Sequence, residues 1–393
     1  MLLRALLTAS LLTGLTASAQ IKELPLAPTP PMGWGTWNHY GNKADEEDVH
    51  KNVEALKRLG LDKLGYVYIN IDGGWPGFRD ANGVVQPNPA RFKDMKALGT
   101  YIHSKGLKYG VYSSPGPLSC GGFIASYGHE EQDARTFADW GADYLKYDLC
   151  SLRVYMKMAG EKDHAKSTQV MIDAYEKMHQ ALIKAGRPML YALCQYGIDY
   201  VQDWAPKVGA TMYRTTNDIK AEWESMTSIG FAQAGLAKYQ TPGHWMDPDS
   251  LEIGNGKLNK EENKLHFSLW SMVAAPLILG NDLTRMDEDT LNIISNKEVI
   301  AVDQDSMGKA GDRVWAIGEV EVWSRPLSGN RMAVALFNRT NGLNTMTLKL
   351  SDLKWEGPAK ARDLWAHADL PTITDTFTAD VPRHGVVMLV LSH

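Results

Sequence analysis

The chain has 393 residues, 44% of them hydrophobic and 22% charged, with a formal net charge of −5. That length allows one large core plus a smaller domain, and the balance is that of a soluble globular protein rather than a disordered one. The mild negative charge argues against a nucleic-acid partner.

Met1 to Ala19 reads as a secretory signal, with Arg4 at the positive end, Ala5 to Leu15 as the apolar run and Ala17-Ser18-Ala19 as the cleavage site. The run is too short to span a bilayer. The expected product starts at Gln20 and is exported, periplasmic or extracellular, with no membrane partner. Export suits a Cys120–Cys150 disulfide with Cys194 left over, although three cysteines do not fix the pairing.

After the Pro-rich Leu24 to Pro31, Met32 to Asn38 reads as a first strand. Ala44 to Leu59 is an amphipathic helix with acidic residues at its start, stopped by Gly60. Tyr66 to Ile71 is a strand with Asp72 at its exit. The unit then recurs. Gly106, Gly141 and Gly186 end helical segments. The strands after them, Leu107–Tyr112, Tyr144–Tyr147 and Met189–Leu193, exit at Tyr112, Asp148 and Cys194-Gln195-Tyr196. Ala210–Tyr213 exits at Arg214, His244–Met246 at Asp247 and Pro276–Leu279 at Gly280-Asn281-Asp282. Helices are expected over 221–237 and 261–273. Eight parallel βα units of this kind match a (β/α)8 barrel, whose active site lies at the C-terminal strand ends. An open doubly wound sheet is the alternative, but no Gly-rich nucleotide fingerprint follows any strand. From about Asp305 short alternating strands read as an antiparallel β domain, over Arg313–Trp323, Met332–Asn338, Thr345–Leu350, Ala359–Leu364 and Gly385–Leu391. The expected domains are therefore a barrel over 20–304 and a β-sandwich over 305–393.

Lys146 and Asp148 stand two apart on one strand and so share a face. A lysine there would keep Asp148 ionised, as a nucleophile requires; a barrel-interior ion pair without chemistry is the alternative. Asp218, in the polar loop after Arg214, is a second carboxyl, and a plain helix N-cap is the competing reading. Two such carboxyls are what glycoside cleavage needs. Asp247-Pro248-Asp249 is a third polar mouth. No calcium-loop spacing accompanies it, and His164, His179 and His266 form no ligand pattern, so no metal is expected. No Gly-x-Ser-x-Gly elbow occurs.

Four blocks in order carry a resemblance: 32–38 (MGWGTWN), 145–150 (LKYDLC), 214–219 (RTTNDI) and 247–249 (DPD). They resemble the signature blocks of glycoside hydrolase family 27, the α-galactosidase and α-N-acetylgalactosaminidase family. The resemblance implies a retaining exo-α-galactosidase without cofactor, acting on an oligosaccharide or glycoside. It makes Asp148 the nucleophile and Asp218 the acid/base. Asp72 and Lys146 would hold the far hydroxyls, Trp37 and Tyr112 would line the pocket, and Arg214 and Asp249 would complete it. It also implies the Cys120–Cys150 disulfide.

Three positions depart from the family pattern. The usual Asp-Asp after the second strand is Asp72-Gly73, leaving fewer acceptors for an axial O4 and more room near C6. The usual Cys-Glu-Trp is Cys194-Gln195-Tyr196, so Gln195 is expected to face the sugar's second carbon without a charge, and Tyr196 to disfavour an N-acetyl group. A pocket methionine becomes Ser250. The Gly73 vacancy admits the same chemistry on a β-L-arabinopyranoside or an α-glucoside. A non-catalytic, exported sugar-binding protein is the remaining alternative.

Overall fold

The computed structural model describes residues 26–393. The expected signal peptide lies outside them. Eight short strands form the first sheet: β1 (Met32–Gly35), β2 (Tyr68–Asn70), β3 (Lys108–Ser113), β4 (Tyr144–Asp148), β5 (Leu190–Cys194), β6 (Met212–Arg214), β7 (Trp245–Asp247) and β8 (Leu277–Leu279). All neighbouring pairs are parallel, in the order β8-β1-β2-β3-β4-β5-β6-β7. Leu251 bridges the open side after β7. Its N–H bonds the Ile278 carbonyl at 2.8 Å, and its carbonyl accepts from Gly280 N at 3.1 Å. The result is a (β/α)8 barrel.

Side-chain alternation decides what the barrel holds. On β4, Leu145 and Tyr147 face outward into the helices, where Tyr147 meets the Tyr175 ring edge-on at 5.9 Å. Tyr144, Lys146 and Asp148 face the barrel interior. Tyr68, Tyr144, Leu190, Met212 and Trp245 close the bottom around Ala27, whose carbonyl accepts from Trp245 Nε1 at 2.8 Å. The top is left to polar strand exits. Gly33 is needed for the close approach of β1 to β2, since a Cβ there would stand 2.2 Å from the Tyr68 carbonyl oxygen.

The structure redraws several boundaries. The first strand stops at Gly35, and Trp37–Tyr40 is a helical turn. The 221–237 helix shortens to Trp223–Phe231 and starts from Glu222, so Asp218 caps nothing. A helix over Leu152–Gly160 and a hairpin of Pro76–Arg79 with Val85–Pro87 were not foreseen.

The second domain has β9 (Asp312–Ile317), β10 (Val320–Leu327), β11 (Arg331–Asn338), β12 (Asn344–Lys349), β13 (Ala359–Asp363), β14 (Ala368–Ile373), β15 (Thr376–Val381) and β16 (Val386–Ser392). The expected strand 313–323 is really a hairpin turning at Gly318, and β14 and β15 were missed. Two antiparallel sheets, β9-β10-β11-β16-β13-β14 and β12-β15, pack Val334, Leu336, Met346, Leu348 and Leu389 between them as a sandwich. The sandwich is fastened to the barrel by aromatic and charged contacts. Phe231 lies edge-on to Phe337 at 5.4 Å, and Arg362 binds both oxygens of Glu298 at 2.6 and 2.9 Å. Among the described residues no helix is long and apolar enough to cross a membrane.

Candidate active site

Asp148 ends β4 and is buried. Each carboxylate oxygen accepts from a tyrosine: Oδ1 from Tyr196 at 2.8 Å and Oδ2 from Tyr112 at 3.1 Å. Burial pushes the Asp148 carboxyl up from its usual range, while Lys146 and the Tyr196 hydroxyl pull it down. The expectation that Lys146 would leave it low is corrected: desolvation wins. Both phenols are pushed up, first by burial, with the Asp148 charge adding to it, so they stay protonated and donate.

Lys146 does not pair with Asp148. Its Nζ binds Asp72 Oδ2 at 2.7 Å and lies 5.6 Å from the centre of the Tyr112 ring. Burial opposes its charge, but Asp72 and its other acidic neighbours outweigh that and hold the ammonium above its ordinary value. Asp72 is fixed from behind, where its N–H donates to Thr36 Oγ1 at 3.0 Å. A Cβ on Gly73 would stand 3.4 Å from Trp37 and 3.5 Å from Tyr112, both pocket rings. Those are ordinary contact distances, so Gly73 sits packed between the two rings and brings no second carboxylate to that wall.

Arg214, at the end of β6, is buried and shared. Nη1 binds Asp218 at 3.1 Å, and Nη2 binds Asp249 at 3.0 Å and the Thr216 carbonyl at 3.1 Å. Asp218 keeps a largely exposed side chain, 63% accessible, so it can meet a leaving group. Asp249 lines the pocket but its oxygens are engaged: Oδ2 by Arg214 and Ile219 N–H, Oδ1 by Ser250 N–H. It thereby fixes the arginine and the loop that carries Asp218. Beneath them burial pushes Asp247 up to about 6, against the pull of Arg214.

Gln195 is a correction. It is fully buried, and its amide donates to the Arg214 carbonyl at 2.8 Å instead of facing the pocket. The physical reason lies one residue on. Tyr196 adopts a left-handed φ of 63°, which turns its ring into the pocket and sends Gln195 behind it. Arg153 stacks over that ring at 4.8 Å. No residue type announces such a turn, so Tyr196 could be suspected but not placed from the sequence.

Cys120 and Cys150 form a disulfide that ties the loop after β3 to the exit of β4. Cys194 is a free, buried thiol pushed up by its surroundings, burial first. Among the described residues the one cluster with ligand-like spacing is Cys120, Asp148 and Cys150, and its two sulfurs are already bonded to each other.

Trp37, Asp72, Tyr112, Lys146, Asp148, Tyr196, Arg214, Asp218 and Asp249 thus surround one pocket at the barrel's C-terminal mouth. Charged groups able to hold hydroxyls, with two carboxyls at hand, suit a carbohydrate hydrolase built on a barrel. Comparison with known proteins agrees. Residues 29–305 match the family model described as alpha galactosidase A, and residues 317–391 match the alpha galactosidase C-terminal beta sandwich domain. The chain is 43% identical to the α-galactosidase of Cyamopsis tetragonoloba over 378 residues, covering 95% of this chain and 88% of that protein. It superposes on α-galactosidase I of Mortierella vinacea with a TM-score of 0.85 at 36% identity, covering 93% and 97% of the two chains. The α-galactosidase of Saccharomyces cerevisiae solved with raffinose gives a TM-score of 0.85 at 26% identity, covering 93% and 98%. The chain belongs to glycoside hydrolase family 27, the α-galactosidase family, and is a glycoside hydrolase.

Proposed function

We propose that the protein is a retaining, exo-acting α-galactosidase with Asp148 as nucleophile and Asp218 as acid/base. The observation that carries this is the single pocket into which both carboxyls open, one buried and held by two phenols, the other exposed on a buried arginine. The names of the relatives support the sugar. In the first step an Asp148 oxygen bonds to the anomeric carbon as the bond to the leaving oxygen breaks, and Asp218 gives that oxygen its proton. In the second, Asp218 takes a proton from water, the water oxygen bonds to the same carbon, and the ester to Asp148 breaks. Asp72 and Lys146, paired side by side, grip the far hydroxyls, and Trp37 covers the apolar edge. Retention asks for carboxyls about 5–5.5 Å apart. We also propose export with cleavage near Ala19, which the N-terminal pattern and the Cys120–Cys150 bond support.

A second reading keeps the chemistry and changes the sugar. The carboxylate missing at Gly73, beside Trp37 and Tyr112, favours a substrate lacking C6, such as a β-L-arabinopyranoside, or one carrying a substituent there. Rates on nitrophenyl α-galactoside, β-L-arabinopyranoside and α-glucoside decide between them. The galactoside should have the highest kcat/KM, and a different winner overturns the galactoside assignment.

A further inference from the structure

The sandwich reaches the far end of the Asp218 loop through His384. This residue, between β15 and β16, is 6% exposed and adopts a left-handed φ of 52°. A side chain in that region stores strain that its surroundings must hold. Asn338 does so from behind: it is fully buried, and its Nδ2 donates to the Val381 and Pro382 carbonyls at 3.0 Å each. His384 is thereby turned onto the barrel. Its Nδ1 donates to Glu262 Oε1 at 2.6 Å, and its ring lies on that of Trp223, with centres 3.8 Å apart and planes 10° from parallel.

Trp223 opens the helix Trp223–Phe231 and closes the segment that carries Asp218. That segment is held unequally. On the Arg214 side the Thr215 N–H and the Thr216 hydroxyl donate to the Asp247 and Pro248 carbonyls at 2.9 and 3.2 Å. Just past Asp218, Ile219 N–H donates to Asp249 at 2.9 Å. Beyond that, the Lys220 and Glu222 N–H groups bond locally, to the Ser225 hydroxyl and the Lys220 carbonyl. Lys257 meets the Ala221 carbonyl with its N–H at 3.3 Å and Glu222 with its ammonium at 2.9 Å, and the ion pair is exposed, so it holds little. The stack on His384 is the firm anchor at this end. Asp218 itself has an exposed carboxyl on one arginine, so its place follows its backbone.

We propose that His384 is a positioning residue for the acid/base: stacked on Trp223, it fixes the end of the segment that presents Asp218 to the leaving oxygen, and through it the sandwich takes part in the reaction. The proposal rests on the assignment of Asp218 as proton donor.

The test compares raffinose, whose sugar leaving group needs a proton, with nitrophenyl α-galactoside, whose leaving group does not. The readout is the ratio of the two kcat/KM values. His384→Asn keeps an N–H for Glu262 and a residue that tolerates left-handed φ, but removes the ring. A misplacement of about 1 Å can cost about 10²-fold; one lost anchor among several moves the loop less, so the ratio should fall about tenfold. Trp223→Leu removes the same stack from the barrel side and should lower the ratio similarly. It carries the test if His384→Asn fails to fold. The double variant should fall no further than either single one, because both remove one interaction. A lower Tm with an unchanged ratio, two rates that fall in parallel, or losses that multiply in the double variant overturn the proposal. Equal losses on both substrates in Asp218→Ala would instead remove the acid/base assignment beneath it.

Discussion

Asp148→Asn should lower kcat/KM on an α-galactoside by at least about 10⁴-fold, the scale of losing a covalent nucleophile. Fold and stability should survive. The amide matches the carboxyl in shape and still accepts from one of Tyr112 and Tyr196; the other phenol loses its acceptor at a cost of about 1 kcal/mol. Against that stands a gain. Burial raises the folded-state value of Asp148, so its ionised form weakens the fold at neutral pH, and that cost vanishes as the pH falls through the raised value. A neutral Asn removes it at every pH. Thermal unfolding should therefore show a Tm close to or above that of the unsubstituted protein, beside a nearly dead enzyme. Activity above about a hundredth of the original would rule out Asp148 as the nucleophile.

Asp218→Ala should cost about 10²- to 10⁴-fold, and the cost should depend on the leaving group. An alkoxide-like sugar leaving group needs its proton and should show the larger loss. Nitrophenolate leaves unaided and should show the smaller one in the first step. Stability should hardly change: Asp218 is largely exposed, and Arg214 keeps Asp249 and the Thr216 carbonyl. Kinetics on raffinose and nitrophenyl α-galactoside check this. Equal losses on both would place Asp218 outside the protonation step.

The barrel was legible because each unit repeats the same grammar, a glycine that stops a helix, a run of apolar residues and a polar exit. Asp72, Asp148 and Arg214 were found that way. What failed was anything set by three-dimensional pairing. Lys146 shares a strand face with Asp148, but its ammonium reaches across β3 to Asp72. Sequence spacing shows which face a side chain takes, not which of two carboxylates it will choose. Gln195 was misplaced because Tyr196, Asp199 and Tyr200 all adopt positive φ, which ordinary side chains do not signal. The value of Asp148 depends on how deeply its exit is covered, by Tyr112, Tyr196 and the disulfide, and that cover comes from distant segments. In the sandwich, β14 and β15 escaped because exposed polar residues alternate with few apolar ones, as expected for edge strands.

The most direct test follows the sugar's anomeric proton by NMR while the enzyme cleaves nitrophenyl α-galactoside. Double displacement through Asp148 releases α-galactose first, with the β form appearing only as the product mutarotates. β-Galactose as the first product would contradict the covalent intermediate and the pairing of Asp148 with Asp218 as nucleophile and acid/base.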